Sequence, residues 1–488
     1  MKRSIAELAA VIGSWSTRPG PLYLRLAEAI EAAIARGEIA QHVPLPAERR
    51  LASELGVSRG TVVAAYRILQ RRGLVTSRRG SRRRIASAPT PAPAASDEDL
   101  IVALGRSPLF RGLVEAQPAE YDLASAPATG SDALPVLRRA VMEVAEDLAP
   151  LAASHGYDPL GLPSLRAAIA ADLTRAALET APGQVLITNG AQQALALIAA
   201  TFARQAVIAV EDPASLGALD ALLAADARLV PVPVDEQGLR VELLRELVPQ
   251  RPRLLYVTPT VQNPTGVLMS TARRRELIVA CAEMNLPVIE DLSLAPFALR
   301  QPPAALSALD RDDAVVITVG SLSNVVWGGL RVGWIRASRP VIALLARFKV
   351  ATDIGTSLLA QAVAGRLFET LDGARARQRQ RAETALAEAT TLLAHHLPTW
   401  AWRRPDGGPF LWIELPHGSA LEFAVIAQRH GIALVPGPVV STSGAHARRL
   451  RLQFVHDSPV LREAIPRLAH AWSSYSKGAS VRELTVLR

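Results

Sequence analysis

AVVITVGSLSNVVWGGLRVGW, residues 314–334, is the stretch from which the rest of the chain is read. Ala314 to Val319 is a short apolar run rich in β-branched side chains, the composition of a buried strand in a parallel sheet. Gly320-Ser321-Leu322-Ser323 ends it with small residues that bring hydroxyls and backbone N–H groups close to a ligand. Gly328-Gly329-Leu330-Arg331 adds a flexible loop with one cation placed to face an anion. Between them stands Asn324, whose amide is not a nucleophile.

Working outward, strand-like runs alternate with helical patterns. Gln184–Thr188, Ala206–Val210, Leu229–Val232, Arg253–Thr258 and Pro287–Asp291 read as further strands. Alternation at this period predicts a mostly parallel α/β sheet with ligand chemistry at the carboxyl ends of its strands. After Gly333 the pattern predicts a long helical stretch, then strands at Gly407–Ile413 and Arg448–Phe454 in a smaller α+β C-terminal subdomain. At 488 residues the chain exceeds one ordinary domain. Its 49% hydrophobic content comes without an apolar run of bilayer length, and no signal-peptide core follows the charged start, so the expectation is a cytoplasmic protein off the membrane. The single Cys281 reads as a core residue and excludes an internal disulfide and a cysteine metal cluster; no metal site is expected.

The N-terminal end differs in charge and pattern. Residues 1–86 hold 16 Lys+Arg against 6 Asp+Glu, whereas the remainder holds 38 against 39. A basic module on a near-neutral body is the electrostatic footprint of a nucleic-acid binder. Tyr23, Leu26, Ile30, Ala33 and Ile34 fall at helical spacing. A second helix runs from Ala47 to Leu55 and is broken by Gly56; Ser58 caps a third that continues to about Arg72. Two short strands around Arg78-Arg79-Gly80-Ser81 complete a winged helix-turn-helix. In this motif the first turn of the third helix enters the major groove. Arg59 is then the candidate for reading a guanine edge, Ser58 and Thr61 for a base or phosphate, and Arg49 for a phosphate; Arg79 and Gly80 would contact the backbone from the wing. Ser87–Asp99 is Pro/Ala/Ser-rich and reads as a linker. The expected organisation is 1–86 DNA-binding domain, 87–104 linker, 105–478 large lobe and 479–488 tail.

The string LPAERRLASELGVSRGTVVAAYRILQRRGLV resembles the GntR family of winged-helix regulators. The large lobe resembles fold-type I pyridoxal 5'-phosphate enzymes of the aminotransferase kind, and the combination resembles the MocR branch of the GntR family. That resemblance implies a role for each matching residue. Gly190, Ala191 and Gln192 match a phosphate loop at a helix start, and Ser321, Ser323 and Arg331 match further phosphate ligands. Asn263, in Gln262-Asn263-Pro264-Thr265-Gly266, matches the bond to the ring hydroxyl, and Asp291 the carboxylate that keeps the ring nitrogen protonated. Arg451 matches the arginine that grips a substrate α-carboxylate. Asn324 stands where the family has the lysine that binds the cofactor covalently, and Ser215 where an aromatic usually packs on the ring. The three lysines, Lys2, Lys349 and Lys477, offer no strand-end substitute. The resemblance thus implies a homodimeric regulator of double-stranded DNA, with a small-molecule effector and with the cofactor bound non-covalently or absent. The alternatives are a working aminotransferase with an appended DNA-binding domain and a cofactor-free scaffold lobe.

Overall fold

The computed structural model describes residues 15, 22–35, 45–71, 75–76, 84–85, 119–125, 133–153, 155–310 and 315–486. Arg79, Gly80 and the whole linker lie outside them. The chain divides into two compact units, Met1–Gly105 and Arg106–Arg488.

In the smaller unit, α1 (Leu22–Ala35), α2 (Glu48–Leu55) and α3 (Arg59–Arg71) share one core of Leu26, Ile30, Leu51, Val62, Tyr66 and Leu69, all buried. Tyr23, read from its spacing as part of that face, is exposed, while Leu24 beside it packs against the core. Gly56 ends α2 in the left-handed conformation (φ 64°), its N–H closing onto Ala52 and Ser53. Strand β1 (Val75–Thr76) pairs antiparallel with β2 (Arg84–Ile85), which gives the wing its base.

The larger unit is built on an eight-stranded sheet. In chain order its strands are β4 (Val185–Thr188), β5 (Val207–Asp212), β6 (Arg228–Asp235), β7 (Gly238–Leu239), β8 (Leu254–Val257), β9 (Val288–Asp291), β10 (Val316–Ser321) and β11 (Gly333–Arg336). The spatial order is β4-β11-β10-β9-β8-β5-β6-β7. The central strands run parallel, and β11 and β7 are antiparallel to their neighbours. Strand β11 takes the start of the stretch after Gly333 that reads as helical, and helix begins only at Arg339. Four residues carry no readable periodicity, and this segment takes its conformation by lying between β4 and β10. Short β3 (Tyr121–Asp122) lies outside this sheet and pairs with β14 (Ile432–Ala433).

Helices α4 (Leu134–Glu146), α5 (Gly190–Ile198), α6 (Thr271–Glu283) and α7 (Arg339–Asp353) belong to the sheet-bearing part. Strands β12 (Ala401–Trp402), β13 (Phe410–Glu414), β15 (Val435–Pro436) and β16 (Arg449–Gln453) form a second, antiparallel sheet. It shares a separate core with α8 (Leu371–His396), α9 (Ala420–Arg429) and α10 (Ser458–Val486), centred on Trp400, Phe423 and Trp472. This is the smaller α+β subdomain expected from the sequence. Among the described residues, no helix is long and apolar enough to cross a membrane.

Candidate functional site

The carboxyl ends of β4, β9 and β10 carry most of the residues singled out from the sequence. Strand β4 stops at Thr188, and Asn189-Gly190 turns the chain into α5. Gly190 is at φ 74°, a conformation that favours glycine, and a Cβ there would lie 2.8 Å from Arg331 Nη2, so that guanidinium sits close over the turn. Gly333 permits a second close approach, since its Cβ would meet the Gly190 backbone at 2.6 Å. The start of β11 therefore lies directly on the turn. Ser321 pairs with that same Gly333 across the β10–β11 ladder.

These neighbours gather groups that are able to face an anion. No side chain caps α5, and an uncapped helix N-terminus offers N–H groups and a positive dipole end to an anion. The Ser321 hydroxyl donates to Ser323 Oγ at 2.9 Å, and the Ser323 N–H donates back to Ser321 Oγ at 3.1 Å. Arg331, exposed, donates from Nη2 to the Asn189 carbonyl at 2.8 Å. Ala191 follows Gly190 in the first turn, while Gln192 is tied sideways through Nε2 to the Gly217 carbonyl at 2.8 Å.

A second group forms around Asp291 at the end of β9. Its Oδ2 accepts from Tyr256 Oη at 2.9 Å and its Oδ1 from the Ser293 N–H at 2.8 Å. Burial pushes this carboxyl above the usual carboxylate range, opposed by those hydrogen bonds. Asn324 Nδ2 donates to the Ser293 carbonyl at 2.9 Å, which pins the amide beside the Asp291 turn. Glu211 is buried nearby in the same charge field: its Oε2 accepts from the Thr258 N–H (2.9 Å), Thr258 Oγ1 (2.6 Å) and Gln262 Nε2 (3.3 Å). Its Oε1 has no partner among the described residues, and burial raises the group to about 7.

Arg451 reaches this region from β16. Nη2 donates to the Ala124 carbonyl at 2.6 Å, and Nη1 lies 3.5 Å from Asn263 Oδ1. The guanidinium stacks 4.2 Å over Phe410. Its Nε is buried without a hydrogen-bond partner among the described residues, and burial lowers the group to about 10 despite some counter-charge from Asp122. A buried cation so partnered is suited to an incoming carboxylate.

Tyr256 and Glu211 are members of the site that the sequence reading misses. Tyr256 sits inside an apolar strand run, where only an unexplained phenol among aliphatic neighbours signals a partner. In the smaller unit, Ser58 Oγ accepts the Thr61 N–H at 3.1 Å and lies 2.9 Å from Thr61 Oγ1. Arg59 pairs with Glu48 at 3.4 Å, and Arg49 is exposed on α2.

The sheet order and the groups at its strand ends define a fold-type I aminotransferase-like lobe. Residues 124–468 match the family profile of aminotransferase class I and II, and residues 22–85 that of bacterial regulatory proteins, gntR family. The chain belongs to the class I and II aminotransferase family, with a gntR-type module on its N-terminal side. The uncharacterized HTH-type transcriptional regulator YisV of Bacillus subtilis (strain 168) is 30% identical over 416 residues, 80% of this chain and 84% of that one. The probable rhizopine catabolism regulatory protein MocR of Rhizobium meliloti is 32% identical over 333 residues, 64% and 65% of the two chains. Among solved structures, LysN, an alpha-aminoadipate aminotransferase from Thermus thermophilus complexed with N-(5'-phosphopyridoxyl)-L-leucine, superposes with a TM-score of 0.67 at 28% identity. The match covers 72% of this chain and 92% of that one. Proteins of this fold family normally bind pyridoxal phosphate.

Proposed function

We propose that this protein is a DNA-binding transcriptional regulator whose aminotransferase-like lobe binds a phosphorylated pyridine, with or without an attached amino acid, as a reversible effector. The observation that carries the reading is the contrast at the site. Groups suited to an anion and a buried acid suited to a ring nitrogen lie at the strand ends, while position 324 is an amide already engaged with the Ser293 carbonyl. Relatives that match both units bear HTH-type regulator names, which supports the DNA-binding half of the reading.

The residues fit pyridoxal phosphate at both ends. The first-turn N–H groups from Gly190 to Gln192, with Ser321, Ser323 and Arg331, would hold the phosphate, and Asp291, steadied by Tyr256 and Ser293, would hold a proton on the ring nitrogen. Asn263 would meet the ring hydroxyl and Arg451 a carboxylate. When bound, the ring supplies an electron sink. Asn324 provides no amine to attach to it and no base to move a proton, so the lobe recognises its ligand without turnover. Exposed apolar side chains, Leu134, Val141 and Met142 on α4 and Leu344 and Phe348 on α7, support a second copy of the chain as partner. In the smaller unit, Ser58, Arg59 and Thr61 would face bases, with Arg49, Arg79 and Gly80 on the backbone. The residue inventory suits a cytoplasmic setting.

The test is thermal melting with inorganic phosphate, pyridoxal phosphate and N-(5'-phosphopyridoxyl)-L-leucine. The expected order of stabilisation is leucine adduct above pyridoxal phosphate above phosphate, from a colourless protein with no transamination. No shift with any of the three identifies a scaffold lobe. A yellow, borohydride-reducible protein refutes the assignment of Asn324.

A further inference from the structure

Asparagine is among the residues most favoured at a helix N-cap, because its side-chain oxygen accepts a first-turn N–H. Asn189 holds that position for α5 and does not cap it. Its amide turns toward α7 instead, where Nδ2 donates to Asp353 Oδ2 at 3.0 Å. The same oxygen accepts from Gln193 Nε2 at 2.6 Å, and Gln193 Oε1 accepts the Asn189 backbone N–H at 2.7 Å. Lys349 Nζ completes the cluster, donating to both Asp353 oxygens at 2.6 and 2.7 Å and lying 3.4 Å from Gln193 Oε1. The Lys349 side chain is fully buried, and burial pulls its ammonium below the usual lysine range against the support of Asp353. Apolar side chains of similar volume commonly stabilise a fold as well as a buried ion pair does. What this pair adds is specific: it fixes the two side chains that flank the first turn of α5.

We propose that Asp353, charge-balanced by Lys349, is a positioning residue for the anion cradle. It holds the Asn189 side chain off the α5 N-terminus, so that the first-turn N–H groups meet a phosphoryl ligand rather than a cap from the chain itself. Arg331 fixes the Asn189 carbonyl from the other side, so only the side chain is left to choose between Asp353 and the turn. Without the ion pair, Asn189 rotates onto the turn, satisfies an N–H and competes with the ligand. The inference rests on the reading of the lobe as a phosphoryl-ligand binder.

Calorimetric titration of the full chain with inorganic phosphate and with N-(5'-phosphopyridoxyl)-L-leucine tests it. The variants are Asn189→Gly, the double Lys349→Met/Asp353→Leu, which leaves neither charge alone, and the triple combining them. Asn189→Gly should bind within threefold of wild type, since glycine cannot cap through a side chain. The double variant should lose tenfold or more for both probes, and the triple should recover to within threefold. A merely structural role predicts a triple as weak as the double, having lost more contacts; that result overturns the proposal, as does unchanged binding by the double. Should the double fail to fold, Asp353→Asn serves in its place, with a smaller loss and the same rescue expected; no loss or no rescue again overturns it. Wild-type protein that binds neither probe removes the ligand-binding reading itself, and the inference with it.

Discussion

Arg274 on α6 and Arg451 on β16 are both buried, but they are used differently. Every nitrogen of the Arg274 guanidinium has a partner. Nε donates to the Met269 carbonyl (3.1 Å), Nη1 to the Ala304 carbonyl (3.1 Å), and Nη2 to the Pro259 carbonyl (2.7 Å) and Thr260 Oγ1 (2.9 Å). Glu290 stands 3.9 Å away as counter-charge, its own oxygens bonded to Leu306 and Ser307. Arg451 keeps one short bond and one long one, with Nε unmet among the described residues. The carboxylates repeat the contrast, for Glu290 is bonded at both oxygens and Glu211 at only one. Buried charge whose bonding is complete belongs to the fold, and buried charge left incomplete marks where a ligand is expected.

Substituting the two arginines is the most severe way to break this distinction. Arg274→Met should cost about 3–5 kcal/mol in urea unfolding, because three carbonyls and Thr260 Oγ1 lose their donor and Glu290 its counter-charge. Arg451→Met should change stability by only about 1 kcal/mol, while weakening the leucine adduct by roughly 10–100-fold and leaving phosphate affinity alone. Equal loss of stability from both substitutions would erase the distinction.

Glu211→Gln sharpens it through pH. The Glu211 carboxyl stands at about 7 in the fold against an ordinary value of 4.5, so the folded state holds its proton more tightly than the unfolded chain. Its stability contribution is full below the unfolded value and lost as pH rises through the folded one. The glutamine variant should therefore be more stable than wild type by about 3 kcal/mol at pH 8, each pH unit between the two values being worth ~1.4 kcal/mol. The gain should fade to nothing below about pH 4.5. A pH-independent difference in melting temperature would contradict the assignment.

The smallest effect is expected at the surface. Arg59 is more than half exposed in its pairing with Glu48, so Arg59→Ala should leave folding nearly unchanged. It should cost about 1–3 kcal/mol of discrimination at one base position, read by binding to operator and scrambled DNA, whereas Arg49→Ala weakens both alike.

The alternating period makes the parallel sheet legible, and small residues followed by an isolated cation mark the groups proposed to face an anion. What stays hidden has physical causes. Gly333–Arg336 is too short to show a period and becomes a strand only because two edges await it. Tyr23 lies at helical spacing yet remains exposed, since periodicity marks a face without saying how far the packing extends. Lys349 ends no strand and so carries no signal of its own; its position behind Asn189 depends on a helix returning across 160 residues, which no local pattern encodes. Tyr256 reads as strand filling, and only its phenol on Asp291 gives it a role.

The hydroxyl pair, the Asn324 amide and the Arg331 cation all lie within the thirteen residues that join Ser321 to Gly333, closed by strand pairing. Closing so short a loop costs little entropy, and each doubling of length adds only about 0.6 kcal/mol. The surroundings of Arg451 are assembled quite differently, since it meets Asn263 across 188 residues of chain and Ala124 across 327. Its side-chain contacts have long stretches of chain to order and two bonds to hold them. On partial opening, the contacts of Arg451 with Asn263 and Ala124 are therefore expected to part before the Ser321–Ser323 pair, which is held for as long as β10 and β11 stay paired.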